Sequence, residues 1–306
     1  RITVRDLVAD DIQGGHGKDD YHGVAAPAAG AVWAAGSSAI EVTGLEATNV
    51  TAGRGGHATS GYGNGSIGGL AAGVLATAGS LNLRVSGLVA HGLIGGAAGN
   101  RGGNSGTVYG SGGPAAAVAA IDSSGLILEA NLAWALTGGT GQTGAHHGAS
   151  ACVRASRSGS VQVQGLTCVG SGEVLQRGVW LTSAPLGPTR VWDSVFADLS
   201  DYAVYSHSSN DRGALEAEWS LVWQAGEGVS VNAHTLEGML LNTDPSFVDV
   251  AQPDYHLKAD SLGIDAGHPE SRYQGEPEAN GCRRNLGAYG NTGEATGKEG
   301  AEHCRI

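Results

Sequence analysis

The chain has 306 residues and a formal net charge of −12 at pH 7, from 17 Lys and Arg against 29 Asp and Glu. This balance argues against nucleic acid or an anionic membrane surface as a partner, because both require clustered cations. The sequence also contains no apolar run of about 18 residues, the length that would predict a membrane span. Glycine accounts for 53 residues and proline for only 8, but the glycines follow no G-X-Y period, which excludes collagen.

The first residues resemble the second half of a repeat unit that recurs later in the chain. Ile2 and Val4 align with Ile40 and Val42, and one constant offset relates both pairs. The leading strand of this first unit is therefore predicted to be missing, which leaves an open edge that is a template for β-pairing. Either sequence upstream of Arg1 or a second copy of the chain would supply the strand, the latter by end-to-end self-association.

A polar, glycine-rich loop follows this half unit. Carboxylates and imidazoles that converge within one loop can hold a divalent cation such as Ca²⁺, or serve as acid and base. The spacing fits neither an EF-hand loop nor the nine-residue calcium repeat, so a solvated loop is the alternative. The candidate metal ligands in this loop are His16, Asp19, Asp20 and His22.

A small residue followed by valine opens a short apolar strand seven times along the chain. The step between successive valines shortens along the chain, from roughly 40 residues at the start to roughly 25 at the end, and an internal period in this range is typical of a solenoid. Each unit of a solenoid buries its apolar face only against its neighbours. The repeated valines are Val32, Val74, Val118, Val153, Val179, Val204 and Val229.

These units predict an all-β fold, namely a single-stranded parallel β-helix of about seven coils over residues 1–243. Alternating apolar and polar residues indicate short, half-buried strands, and no helical stripe separates them. A β-propeller is the main alternative. Its blades would run at about 40 residues throughout, whereas the later units of this chain are much shorter, as the spacing of Val179, Val204 and Val229 shows.

Glycine-rich insertions lengthen three of the early units, after Gly53, Gly96 and Gly139. Insertions at equivalent positions of a solenoid project from one edge and stack, so we predict a single lateral shelf. The glycines themselves are interpreted as punctuation and loop filler.

Histidines and tyrosines in these loops are candidates for ligand binding. Stacked loops would bring histidines together as a transition-metal or glycan site, and tyrosine rings can stack on sugars; exposed polar side chains are the alternative. The candidate metal ligands are His57, His146 and His147, and the candidate glycan-binding residues are Tyr21, Tyr62 and Tyr109.

The four cysteines fall as two local pairs, Cys152 with Cys168 and Cys282 with Cys304. Neither pair has CxxC spacing, and four cysteines allow three connectivities. Two local disulfides, each contributing about 3 kcal/mol in the chain-entropy model, would suit a secreted or cell-surface protein. Four buried thiols in a reducing compartment are the alternative.

A second acidic group lies in the fifth and sixth coils. Two carboxylates about 5 to 9 Å apart suit glycoside hydrolysis, which makes Asp193, Asp198 and Asp201 the candidate catalytic residues. Asp198 and Asp201 fall in a turn, however, where aspartate is ordinarily favoured for backbone capping. The chain contains no Gly-x-Ser-x-Gly elbow, P-loop or HExxH motif.

From residue 244 the repeat gives way to a different signature, which we call the cassette (residues 244–290). It reads DPSF at 244–247, DYHLK at 254–258, SLGIDAG at 261–267 and RNLGAYG at 284–290. The cassette resembles the C-terminal end of bacterial extracellular right-handed parallel β-helix proteins. This resemblance implies a right-handed helix outside the cell. It implies no single activity, because such proteins include polysaccharide lyases, hydrolases, adhesins and surface proteins.

The cassette is predicted to close the solenoid, and residues 291–306 read as a polar tail, tethered again if Cys304 bonds Cys282. The apolar side chains of the cassette are expected to cover the open end of the core. These side chains are Phe247, Tyr255, Leu257, Leu262 and Ile264.

Two functions are consistent with the sequence. The first is a secreted or cell-surface structural or adhesive β-helix that assembles end to end through its open N-terminal coil. The second is a polysaccharide-active enzyme, either a glycoside hydrolase or a lyase, or a glycan-binding module on the same fold. The predicted partner is therefore a second copy of the chain or an extracellular polysaccharide.

Overall fold

A computed structural model of the chain describes residues 2–19, 24–57, 66–100, 110–142, 146–182, 187–206, 215–229, 236–278 and 280–297. These residues form strands, turns and loops but no α-helix, and none of them belongs to an apolar helix that could cross a membrane. The strands are β1 (Ile2–Arg5), β2 (Val8–Ala9), β3 (Ala29–Ala35), β4 (Ser38–Thr43), β5 (Glu46–Thr48), β6 (Ala71–Thr77), β7 (Leu81–Ser86), β8 (Val89–His91), β9 (Ala115–Ile121), β10 (Leu126–Trp134), β11 (Ser150–Ser156), β12 (Val161–Val169), β13 (Gln176–Leu181), β14 (Thr189–Trp192), β15 (Val195–Ala197), β16 (Tyr202–Ser206), β17 (Leu215–Glu218), β18 (Leu221–Trp223), β19 (Gly228–Val229), β20 (Leu240–Leu241), β21 (Phe247–Asp249) and β22 (Asp254–Leu257).

Two long parallel sheets wind together as a parallel β-helix. The first sheet has the order β1-β4-β7-β10-β12-β15-β18-β20, with β2, β5, β8, β14 and β17 paired beside this path, and the second has the order β19-β16-β13-β11-β9-β6-β3. The chain passes from one sheet to the other in every coil, so each coil adds a strand to both. The predicted all-β solenoid of about seven coils is confirmed.

The seven repeated valines form one ladder along the second sheet. Each pairs in register with the next, from Val32 with Val74 to Val204 with Val229. The offset found at the N-terminus is also the register of the first sheet, where Ile2 pairs with Ile40. Buried alanine, valine and leucine side chains from both sheets fill the core between them. The sequence period is therefore the coil register.

Left-handed backbone recurs at several corners of the coil, two of which lie along the first sheet. Aspartate, asparagine and glycine tolerate this conformation best, and they hold most of these positions. The first corner has positive φ at Asp6, Gly44, Gly87, Ala130, Gly165, Asp193 and Trp219. The second corner has positive φ at Asp11, Asn49, Gly92, Ala135, Asp198 and Gln224. Two of the three candidate catalytic aspartates therefore stand at repeated corners.

The insertions form the predicted shelf, which we call the glycine shelf (residues 54–57, 66–70, 97–100, 110–114, 140–142 and 146–148). Successive loops stack through backbone hydrogen bonds, such as Gly55 N–H to Ala97 O at 2.9 Å and Ala98 N–H to Thr140 O at 2.8 Å. A zigzag of further bonds of 2.8–3.0 Å joins the leading and returning arms of the loops. It runs in order through Gly53, Gly69, Gly96, Gly113, Gly139 and Gly148.

The glycines of this zigzag are required by close backbone packing. A Cβ atom added to Gly96 would lie 1.9 Å from Gly53 O, and one added to Gly139 would lie 2.0 Å from Gly96 O. Side chains of any size would collide with the neighbouring arm. The interpretation of glycine as loop filler is therefore wrong at these positions.

The cassette packs against the side of the solenoid. Its apolar residues form a second cluster with residues of β10, β12, β15 and β18. These strand residues face outward, because the residues next to them in the sequence, such as Ala133 and Phe196, belong to the main core. The expectation that the cassette covers the open end of the core is corrected, and Leu262 is 66% exposed. The buried residues of this second cluster are Leu132, Val169, Val195, Ala197, Leu221, Phe247, Tyr255, Leu257, Ile264, Leu286 and Ala288.

A disulfide between Cys152 and Cys168 joins β11 to β12 within the main core, with a Cα–Cα distance of 6.0 Å. Both side chains are almost fully buried, so this predicted pair is confirmed. Cys282 is also disulfide-bonded, while Cys304, its predicted partner, lies outside the described residues. A disulfide in the core fits folding in an oxidising compartment.

Glu276 is a buried carboxylate that holds the loops of the cassette together. It is 8% exposed, and its Oε1 accepts hydrogen bonds from the backbone N–H groups of Asn285 and Asn291, both at 2.8 Å. Its Oε2 is buried without a hydrogen bond to any described residue. Burial raises the pKa of Glu276 above its ordinary value of 4.5, so ionisation of this group opposes folding.

Glu276→Gln is therefore expected to raise the melting temperature at neutral pH. Because the folded-state pKa is raised, the native protein binds the proton more tightly, and wild-type stability falls as pH rises from the ordinary value through the folded value. The amide keeps the acceptor oxygen without the buried charge. Melting curves across pH should show the difference closing below about pH 4; a constant difference would contradict the assignment.

Candidate functional site

An aromatic and arginine-rich surface lies on the outer face of the second sheet. Arg154 on β11, Trp180 on β13 and Tyr205 on β16 occupy one register position. Each directly follows a repeated valine that faces the core, so each side chain points outward. Arg177 and Tyr202 complete this surface, which we call the platform (Arg154, Arg177, Trp180, Tyr202 and Tyr205).

The platform is an alternating stack of cations and rings. The guanidinium carbon of Arg154 lies 5.2 Å from the Trp180 ring centroid, and that of Arg177 lies 4.6 Å from Trp180 and 4.4 Å from Tyr205. The Tyr205 ring lies 4.7 Å from that of Tyr202. Cation–π attraction between these groups, worth about 0.5–2 kcal/mol each, holds the long arginine side chains in fixed positions.

Asp201 holds the side chain of Arg177 in place through an ion pair. Its Oδ2 lies 2.6 Å from Arg177 Nε, and the two side chains are only 15% and 13% exposed. The predicted catalytic residue Asp201 is thus the ion-pair partner that positions an arginine of the platform.

Arg154 carries a charge that the described chain does not neutralise. No described carboxylate forms an ion pair with it, and its Nε is buried without a hydrogen-bond acceptor. Burial lowers the pKa of Arg154, but a guanidinium stays protonated at any physiological pH. The unused Nε–H donor therefore favours an external acceptor.

A cavity of about 650 Å³ lies over the platform. Arg154, Arg177, Trp180 and Tyr205 line one side, and the glycine shelf contributes His146 and His147. No described acidic residue lines this cavity, although the whole chain is strongly acidic. The predicted candidates His146 and His147 are thereby brought to a locally cationic site, together with residues that the sequence reasoning did not select.

Three of the other predicted metal ligands, namely His16, Asp19 and His57, accept hydrogen bonds from backbone N–H groups of the shelf. His16 Nδ1 accepts from Arg54 N–H at 3.0 Å, the Asp19 carboxylate from His57 N–H at 2.7 Å, and His57 Nδ1 from Asn100 N–H at 2.6 Å. In the part of the chain that the structure describes, no group of three or more His, Cys, Asp or Glu could hold a metal ion. Calcium binding stays a prediction.

Five further candidates lie outside the described residues. Two are predicted metal ligands and three are predicted glycan contacts. They are Asp20, His22, Tyr21, Tyr62 and Tyr109.

Asp193 anchors the cassette and is not an accessible catalytic group. It is fully buried, and its carboxylate accepts hydrogen bonds from His268 N–H at 2.6 Å, from Gln164 Nε2 at 2.8 Å and from the Ser271 hydroxyl. Arg284 Nε lies 3.9 Å away. Three of these four partners belong to the cassette, so Asp193 joins it to the solenoid.

Asp198 stands at the other corner of the same coil. Burial raises its pKa, and the nearby negative charge of Asp244 adds to the shift. The three predicted catalytic aspartates thus lie in different parts of the fold. Asp193 lies under the cassette, Asp198 at the second corner, and Asp201 beside Arg177 of the platform. Because Asp193 is fully buried and Asp201 is paired with Arg177, catalysis by a carboxylate pair among these residues stays a prediction.

The repeat itself contained the signal for the platform. In three successive coils the residue that follows a repeated valine faces outward, and it is Arg154, Trp180 or Tyr205. No protein-family model matches the chain, and no curated protein matches it either. The function of the platform must therefore be argued from its own chemistry.

Proposed function

We propose that the protein is an adhesive β-helix, secreted or displayed on a cell surface, that binds a polysaccharide on the platform. The observation that carries this proposal is the stack of Arg154, Trp180, Arg177 and Tyr205 along one wall of an open cavity. Aromatic rings with a few fixed polar groups are typical of small-molecule and sugar sites. The stack also runs across successive coils, which suits a linear polymer.

Charge favours a polysaccharide that carries carboxylates. Arg154 has a buried Nε–H donor that no described residue accepts, His146 and His147 add imidazoles, and no described carboxylate lines the cavity. A guanidinium and a carboxylate form charge-assisted, often bidentate, hydrogen bonds. The net charge of −12 repels such a polymer elsewhere, which would confine it to cationic surfaces.

Trp180→Ala is expected to weaken binding of an acidic polysaccharide about tenfold or more, because truncating a central aromatic anchor removes a large share of binding energy. The matched control is Trp33→Ala. Trp33 stands on the same outward register of the same sheet, on β3, and is 54% exposed. An array of acidic and neutral glycans would measure both variants.

Loss of binding in both variants, or in neither, would overturn the assignment to the platform. Cleavage of an arrayed glycan by the wild-type chain would support the competing prediction of a polysaccharide-active enzyme. End-to-end self-association is a separate prediction, which sedimentation over a range of protein concentrations would measure.

A further inference from the structure

A second cavity, of about 610 Å³, lies on the first sheet, between the outer face of the coils and the cassette. We call it the cassette cleft. Arg84, Glu129 and Arg190 line it from β7, β10 and β14, and His268 to Arg272 line it from the cassette. The cassette cleft is therefore formed on a different sheet from the platform.

Arginines outnumber carboxylates among the described residues that line this cleft. It is lined by four arginines but by only two described carboxylates, Glu129 and Glu270. Glu129 is paired with Arg84 at 2.6 Å, and Arg190 is paired with Glu218 at 2.9 Å. The two remaining arginines are Arg272 and Arg284.

Arg284 is buried at the base of the cleft, and its Nε–H donor is unused by the described residues. It is 4% exposed, and its Nε makes no hydrogen bond to a described residue. Its nearest carboxylate, Asp193, lies 3.9 Å away and accepts three hydrogen bonds from other groups. A buried N–H donor without an acceptor is costly, and a ligand that enters the cleft could supply that acceptor.

Arg272 adds an exposed positive charge at the rim. No ion pair within the described chain involves it, and it belongs to the cassette segment that Asp193 holds in place through His268 and Ser271. The cleft thus has a buried cation at its base and, at its edge, a cation without an ion pair to any described residue. Trp192, against which Arg190 stacks at 4.8 Å, supplies an apolar wall.

We infer that the cassette cleft is a second binding site, which takes a short saccharide bearing carboxylates. Its volume lies within the range of about 300–1,000 Å³ typical of small-ligand sites. A carboxylate would accept from Arg284 and Arg272, and a sugar ring would contact Trp192. This inference does not depend on the platform, because no residue lines both cavities.

Arg272→Gln tests the cleft without disturbing its base. We expect calorimetric titration of the full chain with a short oligogalacturonate to give about tenfold weaker binding in the variant, since a charge-assisted contact of roughly 1.4 kcal/mol is lost. Arg157→Gln is the matched control, because it removes the same charge from an exposed arginine that pairs with Asp122, outside the cleft.

The titrations are made in the Trp180→Ala background, so that failure of the platform and failure of the cleft are distinguishable. Retained binding that Arg272→Gln weakens and Arg157→Gln leaves unchanged would support the cleft. Equal binding of a neutral oligosaccharide of the same length would overturn the inference. So would absence of binding in the Trp180→Ala background, or equal loss in the two arginine variants.

Discussion

Asp193→Asn is expected to lower the free energy of unfolding by about 3–5 kcal/mol, the usual cost of removing one partner from a buried ion pair. The substitution leaves the Arg284 guanidinium without its neighbouring carboxylate in a site that is 4% exposed. It also directs an amide N–H₂ toward groups that already donate, namely Gln164 Nε2 and the Ser271 hydroxyl. These groups would then lack an acceptor.

The damage should begin in the cassette, because three of the four groups around Asp193 belong to it. Hydrogen exchange is expected to show faster exchange at His268 and Arg284, while the valine ladder of the second sheet keeps its protection. Thermal unfolding would report the loss of stability. The control is Asp122→Asn, which removes an exposed carboxylate paired with Arg157 at 2.6 Å; equal losses in both variants would contradict a special role for Asp193.

The period of the chain was sufficient to predict the coils. Every coil from Val32 to Val229 repeats a small residue followed by an inward-facing valine. The spacing of these valines is the register of the second sheet. The constant offset at the N-terminus predicted the pairing of Ile2 with Ile40 in the same way. Such patterns can be recognised in the sequence because every coil buries the same face against its neighbours and therefore repeats the same apolar positions.

The side on which the cassette packs could not be predicted, because it depends on contacts distant in sequence. Leu132 and Val195 alternate with core residues as any half-exposed strand residue does, and nothing local marks them as a docking surface for Phe247 and Leu257. Asp193 was misassigned for the same reason. Its partners His268 and Ser271 lie far downstream in the cassette.

The candidate site was predicted in part. His146 and His147 were selected as loop residues, and the stacking of the loops does place them at the platform cavity. Arg154 and Trp180 were overlooked because they lie in different coils and read as ordinary outward positions. They become a stack only when coil register puts them side by side, which is information that residue types alone do not contain.

Gly96→Ala is expected to destabilise the protein by more than about 3 kcal/mol, beyond the usual cost of overpacking. The new Cβ would lie 1.9 Å from Gly53 O and 2.6 Å from Gly69 N. Both are backbone atoms, and the two groups are joined to each other by the hydrogen bond of 3.0 Å from Gly69 N–H to Gly53 O. The two arms cannot move apart to make room for the Cβ atom without breaking this hydrogen bond and leaving its backbone N–H and C=O groups unpaired.

Gly15→Ala separates this crowding from a general cost of replacing glycine. Gly15 aligns with Gly53 at the same offset that relates Ile2 to Ile40, yet a Cβ there would meet only Pro27 Cγ at an ordinary 3.7 Å. Neither Gly15 nor Gly96 has a positive φ, so backbone strain is matched. Denaturant unfolding should therefore show a large loss of unfolding free energy for Gly96→Ala and little change for Gly15→Ala.

Because the shelf carries His146 and His147 to the platform, Gly96→Ala should also weaken glycan binding. A Gly96→Ala variant that is stable and binds fully would show that the close packing is not required.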